Sequence, residues 1–432
     1  MRVYLIGSKV TDSVVYGFLP AAARMGLDLV MMTDQPEAHE RAIAAARGAR
    51  RPGAAGEPVD PGRPTLVHCD PWDARALIPR LAELPRADAV LTNSDHLQMQ
   101  TALAADYFGL PGKDWRAALR AKDKVLMRRR LAETGTEHVT AAEVTPDLIT
   151  ARSGGGRSPG RSGGGRSPGR TERLPEFGYP AVLKPATGVA SEDVVLVHDR
   201  DELVRVAEDI AGRRPGERLI AEEYLPGPLR TVETIGDGSG TWVLGGFRTG
   251  LSAPPFFIEE RLAWDPPPPE AEKHVLAALS GLGTGFGPCH TEYVQGDPAR
   301  LIEVNDRLIG DHCDFLLCDL LGVDLFELTL RTYLGEPLAA SPPPASGHAM
   351  TECAVADRSG ILHAAPDPGP QPQAEPGTSL TYWPLRAIGD HIDVTHTNRD
   401  YLGVIGALGP GPAAVERSIR ALRAAACWDI AP

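Results

Sequence analysis

The stretch that limits this 432-residue chain most sharply is a strand-turn-strand pattern near residue 300. Glu303, Asn305 and Arg307 occupy alternate positions in Leu301-Ile302-Glu303-Val304-Asn305-Asp306-Arg307, and Glu292 lies upstream across Gly296-Asp297-Pro298. A period of two places the triplet on one face of a strand. If residues 289–295 and 300–306 are the arms of a hairpin closed by residues 296–299, Glu292 faces Glu303 and His290 faces Asn305. Like charges directly opposed destabilise a sheet unless something positive lies between them, and hard oxygen ligands of this kind suit Mg²⁺ beside phosphates. Arg307 is then left to meet a phosphoryl or carboxylate group bidentately. On the triplet alone, an exposed hairpin with an alternating polar face is an equal reading.

The chain is too long for one ordinary core, so two or three domains are expected. Hydrophobic residues at 42% and charged residues at 23% are ordinary for a soluble globular enzyme. A net charge of −13 argues against nucleic acid or an anionic membrane as main partner, because both attract clustered Lys and Arg. No apolar run approaches the length of a membrane span, and Met1-Arg2-Val3-Tyr4-Leu5-Ile6-Gly7 reads as a first strand rather than a leader, so a cytoplasmic location is expected. The six cysteines form no CxxC pair, which favours reduced thiols over a zinc site or a disulfide framework.

Residues 1–112 alternate strand and helix in the manner of a parallel sheet, with strands at 3–7, 27–33, 65–69 and 89–92 and helices at 13–25 and 96–108. Gly7-Ser8-Lys9 lacks the three glycines of a dinucleotide fingerprint, so this half-Rossmann unit is expected to supply a cleft wall. Residues 152–169 repeat Arg-Ser-Gly-Gly-Gly-Arg-Ser-Pro-Gly twice, and residues 152–170 are expected to form a disordered insert without a core. Across residues 113–340, strand signals at 181–184, 194–198, 219–222, 231–235, 242–248, 289–295 and 301–305 mix with helical signals at 201–211, 270–279 and 314–321. Residues 341–432 turn proline-rich and end in a helical signal at 413–425, which suggests a small third lobe. The fold class expected is therefore multidomain α/β and α+β.

Lys184 ends the apolar strand Pro180-Ala181-Val182-Leu183-Lys184-Pro185 and precedes the small-residue loop Ala186-Thr187-Gly188-Val189-Ala190-Ser191. A lysine aimed from a strand end into such a loop holds phosphates with help from backbone N–H groups and a hydroxyl, here that of Ser191. Lys124, opening a helix, can reach the same phosphates, although a lone lysine there is more often a solvated charge. Leu219-Ile220-Ala221-Glu222-Glu223-Tyr224-Leu225-Pro226-Gly227 leaves a buried strand at a Pro-Gly break, where backbone groups can meet an adenine edge.

In this order, Asp123-Lys124, Tyr179-Pro180-Ala181-Val182-Leu183-Lys184-Pro185, Glu222-Glu223-Tyr224-Leu225 with Thr231-Val232-Glu233, and Glu292 with Glu303-Val304-Asn305-Asp306-Arg307 resemble the ATP-grasp superfamily of carboxylate–amine ligases over residues 88–340. The resemblance implies a central ATP-grasp domain of two α+β lobes. It implies ATP held by Lys124, Lys184, Ser191, Glu222, Glu223, Leu225 and Glu233. It implies Mg²⁺, as two ions, with Mn²⁺ as the alternative, held by Glu292, Glu303 and Asn305. Arg307 and Lys184 take the catalytic roles, with Arg307 steadying an acyl phosphate. Asn305-Asp306-Arg307-Leu308-Ile309-Gly310-Asp311 is most similar to the members that join two amino acids, which puts Arg307 and Gly310 beside the substrate. Arg248 and the stretch Phe256-Phe257-Ile258-Glu259-Glu260-Arg261, with Glu259 foremost, either line the amino-acid pocket or are a strand end and an exposed charge cluster. Two departures from the family pattern are the single glycine after Lys184 and Leu229 where a ribose-binding Glu is common.

The activity implied is formation of a dipeptide or γ-glutamyl amide through an acyl phosphate, with ADP and phosphate released. The alternatives are an ATP-grasp carboxylase, a purine-biosynthesis type of ligase, or an ATP-binding regulator without catalysis. A mobile lid is expected at residues 184–194. Amino acids are the expected partners, and a homodimer is the commonest assembly for such a protein.

Overall fold

The computed structural model describes residues 1–49, 58–145 and 178–431; the repeat at 152–170 lies outside the described residues. Four parallel strands, ordered Thr65–His68, Asp28–Thr33, Arg2–Ile6 and Ala89–Leu91, form the N-terminal sheet. Its strands read as continuous apolar runs because both faces are covered: Val3, Leu5 and Met31 pack into one core while Tyr4, Ile6 and Met32 pack into another. The strand order reverses between Arg2–Ile6 and Ala89–Leu91, so the loops that follow these strands open onto one crevice. The helical signal at 13–25 is realised as a wide turn over Ser13–Phe18 running into the helix Leu19–Arg24. Gly17 is required there, because a Cβ would lie 2.5 Å from the Phe326 ring.

A four-stranded antiparallel sheet follows, ordered Ala141–Val144, Leu219–Glu223, Ala181–Pro185 and Val195–Val197. The helix Arg200–Arg213 buries Leu203, Val206, Ala207 and Ile210 against it, at helical spacing. Helices Pro36–Ala46, Ala74–Ala82, Trp115–Lys122 and Leu325–Tyr333 have no counterpart among the expected elements. The strand signal at 231–235 extends to Leu229–Asp237.

The strand expected at 242–248 is instead two, Thr241–Gly245 and Phe247–Leu251, both pairing with Leu229–Asp237. Gly245 and Gly246 make the break. A Cβ on Gly246 would meet the Thr231 carbonyl oxygen at 2.0 Å, and one on Gly245 would meet the Trp264 ring at 1.9 Å. Glycine at a bend where chains approach this closely is the usual strand punctuation.

The large antiparallel sheet has ten strands, and it runs through residue 341 without interruption: His348–Val355 pairs with Glu259–Trp264 on one side and Tyr401–Gly409 on the other. The closing helix Pro412–Ala425 packs Val415 and Ile419 onto Met350, Tyr382 and Ile405. All six cysteines are free, and five are buried. Among the described residues, no helix is long and apolar enough to cross a membrane.

Candidate functional site

The hairpin near residue 300 has the expected register. Phe286–Val294 and Arg300–Asn305 are antiparallel, with Glu292 opposite Glu303 and His290 opposite Asn305. A bulge at Ile302 then shifts the pairing so that Tyr293 meets Leu301. Each of the paired carboxylates has its own cationic neighbour. Lys124 Nζ lies 2.8 Å from Glu303 Oε2, and Asn305 Nδ2 donates to Glu303 Oε1 at 2.9 Å. Burial opposes ionisation of Glu303, but Lys124 and the Asn305 amide outweigh it and hold the carboxyl well below its ordinary value.

His290 stands between two acids, 2.8 Å from Glu233 and 3.4 Å from Glu292. Burial disfavours its imidazolium, yet Glu233 and Glu292 push its pKa up to about 10, so it is a buried cation beside Glu292. Lys124 is the first residue of the helix Lys124–Thr134, which Asp123 caps through the N–H groups of Val125 and Leu126. Its ammonium also donates to the Gly188 carbonyl at 3.1 Å, which ties it to the loop after Lys184. Lys184 points from its strand to Glu222 at 2.8 Å, and desolvation lowers its pKa against the pull of Glu222.

Lys124, Lys184, Ser191, Glu222, Glu223, Leu225, Glu292 and Glu303 line one cavity of about 1020 Å³, mouth included. A second cavity is lined by His290, Asn305, Arg307, Gly310 and Asp311, and it shares Glu259, Glu292 and Glu303 with the first. Glu259 sits at this junction, and burial, Glu292 and Asp311 raise its pKa to about 8. The paired carboxylates therefore stand where the two cavities meet.

Two of the residues singled out from the sequence fall elsewhere. Glu233 lines neither cavity; its buried carboxylate holds His290 from behind. Arg248 is an exposed residue opposite Arg230 and also lines neither, which agrees with the strand-position alternative. Glu222 does line the first cavity, but its carboxylate is engaged by Lys184 and by Arg128 Nε at 2.8 Å. Arg307 Nη1 donates to the Leu308 carbonyl at 2.8 Å.

The C-terminal residues complete the second cavity, where Asn398-Arg399-Asp400 is only a faint sequence signal. Arg386, Asn398, Arg399 and Tyr401 line it. Asn398 accepts from the Glu259 N–H at 3.0 Å, donates to Glu259 Oε1 at 3.1 Å, and through its own N–H bonds the Ala190 carbonyl at 3.1 Å. Arg399 reaches Glu192 at 3.1 Å, and Ser191 Oγ donates to the Phe257 carbonyl at 2.7 Å. The loop after Lys184 is thus fastened over both cavities, with Ala190, Ser191 and Asp193 in the left-handed region.

Among the described residues, no three acidic, His or Cys side chains converge into a ready-made metal cluster. The donors are two carboxylates and an amide, which fits a hard cation whose remaining positions are filled by phosphate oxygens and water.

No family model matches the chain. An uncharacterised protein of Sinorhizobium fredii is 27% identical over 351 residues, which cover 75% of this chain and 64% of that relative. The match thus spans less than two thirds of that relative's length. Among solved structures, an L-amino acid ligase from Bacillus licheniformis superposes with a TM-score of 0.72 at 21% identity, over 100% of this chain and 99% of that one. A carboxyaminoimidazole ribonucleotide synthase from Aspergillus clavatus, complexed with ATP, gives 0.66 at 15% identity, over 98% and 97%. The chain has the ATP-grasp fold.

Proposed function

We propose that the protein is an ATP-dependent carboxylate–amine ligase that joins two amino acids and releases ADP and phosphate. The observation that carries this reading is the meeting of two cavities at Glu292 and Glu303, one bearing Lys124 and Lys184 and the other Arg307. In this reading ATP occupies the first cavity, with its adenine by Glu223 to Leu225 and its phosphates by Lys124, Lys184 and the loop at Ser191. Glu292, Glu303 and Asn305 would hold Mg²⁺, one ion or two, and a bound divalent cation supplies charge neutralisation along the phosphates.

The second cavity takes the substrate carboxylate, which attacks the γ-phosphorus. The bond from that phosphorus to the bridging oxygen breaks, and ADP leaves. An amine then attacks the acyl phosphate, loses a proton, and expels inorganic phosphate as the amide forms. Such a transfer needs position and charge compensation more than a protein nucleophile. Arg307 carries a fixed positive fork to the cavity where the acyl phosphate forms, and the fastened loop excludes the water that would hydrolyse it.

Incubation with Mg-ATP and pooled amino acids, read by mass spectrometry for new condensation products and by ADP release, tests the reading. Products are expected, with ADP formation dependent on the amine. ADP release at full rate with the carboxylate alone counts against a closed ligase. A carboxylating or purine-type activity is the second reading, supported by the likeness to the carboxyaminoimidazole ribonucleotide synthase; dependence of ADP release on bicarbonate would favour it.

A further inference from the structure

We propose that Arg128 and Glu137 are positioning residues for the phosphate-binding lysines, acting through a buried ring of alternating charge. The inference rests on the reading of the first cavity as a nucleotide site. Neither residue lines that cavity, so any effect they have on a ligand is transmitted through another group.

Arg128 lies one turn beyond Lys124 on the same helix, so the two side chains share a face. Its guanidinium grips Glu222 with two bonds, Nε to Oε1 at 2.8 Å and Nη2 to Oε2 at 3.2 Å. Its third arm, Nη1, meets Glu137 Oε1 at 3.0 Å. Glu222 passes the chain on to Lys184 Nζ at 2.8 Å. Glu137 passes it the other way, accepting from the Leu301 N–H at 2.9 Å and lying 2.9 Å from His274 Nε2. Leu301 is on the same strand as Glu303, and Glu303 returns to the starting helix through Lys124 at 2.8 Å. The network therefore joins four elements: the strand of Lys184, the neighbouring strand of Glu222, the helix of Lys124, and the strand bearing Glu303.

Arg128, Glu137, Glu222 and Lys184 are all buried. Burying so many charges is weak grounds for stability, because desolvation offsets much of their attraction, and apolar replacements of whole buried arrays are often tolerated. What such a ring does supply is geometry. Both lysines line the cavity and both are tied to this one frame, which fixes the gap that a polyphosphate must fill. It also solves a problem of exchange. When a phosphate draws Lys184 off Glu222, that buried carboxylate would be left without a cation; the bidentate grip of Arg128 keeps it paired, so the lysine can leave at little cost.

The test is equilibrium binding of ATP and of adenosine, by calorimetry, to wild type, Arg128→Lys, the charge-neutral pair Arg128→Gln with Glu137→Gln, and each of these with Lys184→Ala. Circular dichroism melts accompany every variant, and the neutral pair keeps the net buried charge should Arg128→Lys fail to fold. Loss of the fork is expected to weaken ATP binding by about 10-fold or more while leaving adenosine unchanged. Adding Lys184→Ala is expected to cost little further, because the effect passes through that lysine. A folded Arg128 variant that binds ATP as wild type does, an equal loss for adenosine, or additive losses with Lys184→Ala would overturn the inference. Wild type that binds no ATP would overturn the nucleotide reading itself.

Discussion

Glu292 and Glu303 face each other across an antiparallel pair, and each draws on a different cation: Lys124 Nζ stands 2.8 Å from Glu303, and the His290 ring 3.4 Å from Glu292. Two carboxylates brought face to face on one hairpin, each with a cation at only one contact, form a strongly acidic pair. Such a pair is what a divalent ion would bridge to phosphate.

Glu303→Gln and Glu292→Gln preserve shape and remove one charge each. Either change is expected to weaken the apparent Mg²⁺ affinity by about 10- to 100-fold, read from ADP release across a Mg²⁺ titration. An unshifted Mg²⁺ midpoint in both variants would rule these residues out as ligands.

Asn398 joins Glu259 to the Ala190 carbonyl with three hydrogen bonds. Asn398→Ala removes the two side-chain bonds to Glu259 and keeps the backbone bond to Ala190; it is expected to raise the KM for the amino-acid substrate by about 10-fold, a change of one or two hydrogen bonds. ADP released without amine should rise at the same time, because the turn that holds the Ala190 carbonyl loses its anchorage on Glu259. Unchanged steady-state constants and unchanged coupling would show that the turn at residues 397–400 is only structural.

Asp314 receives the Ser13 hydroxyl across the boundary between the N-terminal sheet and the helix Cys313–Leu321. Burial raises its pKa from 3.8 to about 6, against the pull of Ser13 and of the Phe315 N–H. The native state thus binds more protons than the unfolded chain between those values, and stability falls as pH rises through that window. Asp314→Asn keeps the hydrogen bonds without the titration. It is expected to be more stable than wild type above pH 6, by about 2–3 kcal/mol, with the gap closing below pH 4. Denaturant melts at four pH values measure this, and a gap independent of pH would refute it.

Lys113 lies buried 3.4 Å from Asp306 and donates to the Phe286 and Pro288 carbonyls at 2.8 and 2.9 Å. Lys113→Ala strands the Asp306 carboxylate beside the hairpin and is expected to destabilise the protein by about 3–5 kcal/mol. Lys113→Met combined with Asp306→Asn should recover much of that loss in the same denaturant melts. Equal melting of Lys113→Ala and wild type would mean that the pair contributes nothing.

The cross-strand meeting of Glu292 with Glu303 was legible in the sequence because a tight turn and a two-residue period act locally. The shift at Ile302 was not, since a bulge changes no residue pattern. Arg248 reads from the sequence as either a pocket residue or a strand end, and the break at Gly245 and Gly246, which ends one strand and starts another, carries no signal that would have decided it. The grip of Arg128 on Glu222 joins residues 94 positions apart, and their pairing follows from how a helix lies on a sheet. A basic residue one turn after Lys124 was its only trace. The docking of Asn398 on Glu259 spans 139 positions, and beyond a faint likeness of Asn398-Arg399-Asp400 to the C-terminal lobe of the ATP-grasp ligases nothing in the sequence pairs them.

Because the strand His348–Val355 continues the sheet begun by Glu259–Trp264, a fragment ending near residue 340 would present a raw strand edge open to foreign chains and would strip Arg386, Asn398, Arg399 and Tyr401 from the chamber they help enclose. The final hundred residues therefore cannot be swapped like a detachable module. Change in them is coupled to change in what the chamber accepts.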